Sequence, residues 1–74
     1  MHTIAELHTL SVVRLADAWT VVVQGRRRGR FLYRVDAEEA ALRLAARERR
    51  GGQSVQVLIQ APWGEMQTLD SAGG

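Results

Sequence analysis

Two kinds of spacing divide the chain. Trp19 to Gln24 (WTVVVQ) and Gln53 to Gln60 (QSVQVLIQ) are β-branched and alternate with period two, which predicts strands with one buried face. Ser11 to Leu15 and Arg30 to Val35 read as two more strands, and Glu65 to Leu69 as a short closing one. Between them the period changes. Ala37, Ala40, Ala41, Leu44 and Ala45 recur at helical spacing, so the pattern predicts a helix over 37–50 with one stripe of small residues. Asp36 with Glu39 three residues on has the form of a capping box. Gly51-Gly52 supplies the stop, and Arg47, Arg49 and Arg50 sit where the helix dipole favours cations.

The order is β-β-β-α-β-β, which is an α+β domain: a mostly antiparallel five-stranded sheet with one helix on one face. Residues 11–70 form the domain. Residues 1–10 are a weakly structured lead-in and 71–74 a loose tail. Gln24 to Gly29 (QGRRRG) reads as a glycine-bounded hairpin loop, with its arginines at the tip. Alternation assigns Trp19, Val21, Val23, Phe31, Tyr33, Val35, Val55, Val57 and Ile59 to the helix-covered face. The open face then carries Thr20, Val22, Gln24, Arg30, Leu32, Arg34, Ser54, Gln56, Leu58 and Gln60. Val22, Leu32 and Leu58 would make an apolar spot among arginines and glutamines.

These patterned stretches resemble an uncharacterised bacterial family, domain of unknown function 2188. The matching segments are Trp19-Thr20-Val21-Val22, Arg30 to Val35, Asp36-Ala37-Glu38-Glu39-Ala40, Ala45-Ala46-Arg47, Gly51-Gly52, Val55 to Ile59, and Gly64. The family tends to have Thr where Asp36 stands, and the Arg26–Arg28 run and Pro62-Trp63 are departures from it. The resemblance implies a ββαββ-type fold with an extra leading strand. It implies no established activity and no catalytic residue.

Composition narrows the chemistry. The 74 residues contain no cysteine, which removes disulfides, cysteine metal sites and thiol nucleophiles. No apolar run approaches the ~20 residues that span a bilayer, so the expectation is a cytoplasmic domain with no membrane partner. All ten cations are arginine, which lifts the isoelectric point to about 10.4, although the net charge is only +2. Charge is uneven: residues 1–35 carry six arginines against Glu6 and Asp17, and residues 36–74 carry four against six acids.

Catalysis finds little support. His2 and His8 both lie in the lead-in, too few to make a metal centre even with Glu6. Gly25-x-x-x-Gly29 precedes a strand, whereas a phosphate cradle opens a helix. No cofactor, metal or catalytic residue is assigned. The expected function is a non-catalytic binding module (an adaptor, inhibitor or regulator) that contacts a protein partner or a second copy of itself. Interfaces favour Trp and Arg beside modest apolar spots, which selects Arg26, Arg27, Arg28, Arg30, Arg34, Leu32 and Trp63. The alternative is nucleic-acid binding through the arginines 26–30.

Overall fold

The computed structural model describes residues 7–72. Five strands and one helix follow in the order β1 (Leu7–Arg14), β2 (Trp19–Val23), β3 (Arg26–Phe31), α1 (Arg34–Arg50), β4 (Ser54–Gln60) and β5 (Met66–Ala72). They form one sheet, ordered β3-β2-β1-β4-β5. All neighbours are antiparallel except the central pair β1 and β4. That parallel pair requires a crossover, and α1 supplies it by carrying the chain from the β3 edge back over the sheet.

The core lies between α1 and one face of the sheet. Leu10, Val12, Val21, Val55, Val57 and Ile59 are buried there against Ala37, Ala41 and Ala45. Burying each aliphatic side chain is worth roughly 1.5–3 kcal/mol. Trp19, Val23, Phe31, Ala40, Leu44 and Leu69 pack around the rim. The three alanines give the helix a flat contact face, so its axis lies close to the valines. Two polar pairs fix its C-terminal half: His8 Nδ1 lies 2.7 Å from Glu48 Oε1, and Arg49 reaches Asp70 at 2.9 Å and the Val55 carbonyl at 2.8 Å. The helix ends as the glycine pair predicts. Gly52 is left-handed (φ +93°), and the amides of Gly52 and Gln53 bond back to the carbonyls of Arg49 and Glu48.

Several boundaries differ from the sequence reading. β1 starts at Leu7 and includes residues assigned to the lead-in; Leu10 is fully buried. The operative pattern in β1 is Leu10 and Val12 inward with Thr9, Ser11 and Val13 outward. His2 and Glu6 lie outside the described residues. β5 runs on to Ala72, beyond the expected start of the tail.

The largest correction concerns the hairpin. β3 spans Arg26–Phe31, four residues earlier than expected, and the loop is only Gln24-Gly25. Both loop residues have positive φ (51° and 79°), the conformation of a two-residue hairpin turn matched to strand twist. The arginines are therefore in the strand and not at a tip. A bulge follows: Val21 pairs with Arg28 but Trp19 pairs with Phe31. Gly29 sits in the bulge at φ +83°, and the buried Thr20 hydroxyl donates to its carbonyl.

The chain leaves the sheet after Phe31, so Leu32, Tyr33 and Val35 lie outside it and are exposed. They occupy neither face assigned to them. The helix consequently starts at Arg34. Asp36 falls inside its first turn, where the dipole still favours it, and the N-cap residue is Tyr33, with no side-chain cap.

Two predictions follow from this packing. Gly29→Ala should destabilise the domain more than Gly25→Ala in urea unfolding. Both positions carry the left-handed penalty of about 1–2 kcal/mol, but only at Gly29 does a new Cβ meet the Phe31 ring, at 2.9 Å. Ala41→Leu should cost about 1–3 kcal/mol by forcing α1 off the sheet, read as a drop in melting temperature.

Candidate functional site

The helix covers one face of the sheet and leaves the other bare. The registers place Leu7, Thr9, Ser11 and Val13 of β1 on that open face, with Thr20 and Val22 of β2 and Arg27 of β3. Ser54, Gln56, Leu58 and Gln60 of β4 join them, then Met66 and Thr68 of β5. One row crosses the whole sheet: Arg27, Val22, Ser11, Leu58, Thr68. With Arg30, which adjoins the fully buried Thr20 on this side, two of fourteen positions are charged, both arginines of β3, in a chain whose residues are 24% charged. Val13, Val22 and Leu58 are half-buried within their own sheet, and Leu7 and Met66 are exposed at 52% and 41%. Gln56 Nε2 donates to Thr9 Oγ1 at 3.0 Å, so some of the face's polar groups already satisfy one another.

Of the residues expected on this face, Val22 and Leu58 are there, with Ser11 between them. Leu32 is not; it stands at the corner between β3 and α1, 68% exposed. Arg30, next to the helix-side Phe31 and so on the open side opposite Thr20, pairs with Asp17 at 2.7 Å, both well solvated. Exposed pairs of this kind contribute about 0–1 kcal/mol. Arg34 is the first residue of α1, 3.8 Å from Glu38.

A second feature lies at the end of the sheet where β1 and β4 finish. Arg14, Trp19, Arg34, Gln60, Pro62 and Trp63 line a cleft of about 350 Å³. Arg14 and Trp19 are cross-strand partners, and the Gln60 side-chain carbonyl accepts from the Arg14 amide at 2.9 Å. Trp63 is held out by the turn Ala61-Pro62-Trp63-Gly64. Pro sits at its second position, and Gly64 (φ +92°) closes it with a bond to the Ala61 carbonyl. The indole is 68% exposed and donates to Glu65 at 2.7 Å. The structure thus brings Trp63 and Arg34 together, while Arg26, Arg27 and Arg28 lie further along β3, away from them. The lining side chains include no nucleophile and no general base.

Sequence reasoning missed Arg14, Trp19, Gln60 and Pro62 as cleft residues, because the cleft unites four segments distant along the chain. It also missed Thr9, Ser11, Val13, Met66 and Thr68. The absence of charge at alternating positions was the signal available for them.

No family model matches the chain, and neither the curated proteins nor the solved structures give a match.

Trp63→Ala and Arg34→Ala should each leave the unfolding free energy within about 0.5 kcal/mol of the parent, as expected for exposed side chains outside the core. A larger loss in urea titration would make these residues part of the scaffold.

Proposed function

We propose that the protein is a non-catalytic binding module that works by protein–protein contact, and that its first partner is a second copy of itself docked on the open sheet face. The uncharged centre of that face carries this reading. Interface cores are depleted of charge relative to the rest of a surface, and the open-face positions of β1, β4 and β5 named above carry no charge, the two arginines Arg27 and Arg30 standing at the β3 edge. The face also suits a copy of itself, since its arginines stand at the β3 edge and no like charges need meet at the Val22–Leu58 centre. Two such sheets pack about 10 Å apart with their strand directions within about 30°. Val22 and Leu58 would then interleave around Ser11, with Thr and Gln side chains at the margin. A short chain with one alanine-lined core gains stability from such association.

Sedimentation equilibrium at micromolar protein tests this. The parent chain should be a dimer. Leu58→Arg should be monomeric with an unchanged far-ultraviolet circular dichroism spectrum, because residue 58 faces away from the helix. A parent chain that remains monomeric as concentration rises overturns self-association.

A further inference from the structure

The run of three arginines lies on β3, which pairs only with β2 and so forms one edge of the sheet. Arg26 and Arg28 stand opposite Val23 and Val21, on the helix side; Arg27 stands opposite Val22, on the other. The helix brings a second set of cations to the same edge. Its Arg49 flank is tied to Asp70 of β5. The opposite flank, where Ala40 and Leu44 pack on the core rim, therefore faces β2 and β3. Arg43 and Arg47 line a shallow concavity of about 260 Å³ with those two residues.

The β3 edge and this flank of α1 thus carry two rows of cations. Arg26 and Arg28 repeat at about 6.8 Å along the strand, and Arg43 and Arg47 at about 6 Å along the helix. None of these four, nor Arg27, makes an ion pair among the described residues. Four acids are occupied elsewhere: Asp17 with Arg30, Glu38 with Arg34, Glu48 with His8, and Asp70 with Arg49, while Asp36, in the first turn of α1, makes no ion pair among the described residues. Glu39, one turn from Arg43, forms no such pair.

Aromatic surface follows at one end. Beyond Phe31 the chain exposes Tyr33 at 67%, beside Arg34 and the cleft that presents Trp63. A cationic surface that tracks a polyanion and leads to exposed rings is the arrangement that binds single-stranded nucleic acid by backbone charge and base stacking. We propose that the arginines of the β3 edge and of the adjoining flank of α1 hold the phosphates of a single-stranded nucleic acid, and that Tyr33 and Trp63 stack its bases. The site is separate from the open sheet face and does not depend on dimer formation.

Fluorescence anisotropy of a labelled oligothymidine of about 16 nucleotides, within the site size of small single-strand-binding domains, tests it on the full chain. Raising salt from about 50 to about 200 mM should weaken binding about 50-fold if four phosphates are neutralised. Arg26→Ser/Arg28→Ser and Arg43→Ser/Arg47→Ser should each flatten the logarithmic salt slope by about 1.4. Tyr33→Ala/Trp63→Ala should weaken binding with the slope kept. Circular dichroism checks that each variant is folded. The proposal fails if the single strand does not bind at the lowest salt, or if the arginine variants bind like the parent. It also fails if a duplex binds more tightly, or if poly-glutamate competes as well as the oligonucleotide, which would make the ligand an acidic protein segment.

Discussion

Everything else in the molecule depends on the contact between the alanine stripe of α1 and the valines over β1 and β4. Ala37, Ala41 and Ala45 are each fully buried against that face. Without the close approach they permit, the crossover could not lie flat, and the parallel β1–β4 pair at the centre of the sheet would lose its cover. The same economy sets the limits of the fold. One helix of seventeen residues covers one face of five strands and no more. The second face and both edges are left to be handled by side-chain chemistry.

That chemistry divides by sign. Five of the described acids are drawn into contacts that position the helix, tie the β1–β2 loop to β3 or steady the β4–β5 turn. Most arginines are left over. Five of them, Arg26, Arg27, Arg28, Arg43 and Arg47, collect on the β3 side, so a chain with a net charge of only +2 still carries a strongly cationic edge. Net charge understated this because it averages over acids that are already engaged.

The same facts explain what could be read from the sequence. The helix, its glycine stop, β2 and β4 were legible, because each has a strong period and a burial pattern that agrees with it. The α+β class and the mostly antiparallel five-stranded sheet followed from their order; the one parallel pair did not. β3 was misread because arginine is a poor guide to strands. It is tolerated at four of six positions only because the strand lies at an edge, where long side chains stay in water. Placing the strand four residues late then misplaced Leu32, Tyr33, Arg34 and Val35. It also made Asp36 look like a cap when it lies within the first turn. Trp63 and Arg34 are both exposed, but their meeting in one cleft depends on the β4–β5 turn and the start of α1 converging, and local patterns do not report that.

The charged edge and the open face are linked. An edge strand with open backbone groups invites pairing with another copy, and rows of like charge along it oppose that. On β3, two copies would bring Arg26, Arg27 and Arg28 against their equivalents with no acid between them. Association through this edge is disfavoured unless a polyanion intervenes. The opposite edge, β5, is broken by a register shift between Val57 and Leu58 and pairs less regularly for that reason. The proposed association through the open sheet face would leave the arginine rows of β3 and α1 free for a ligand of the opposite sign.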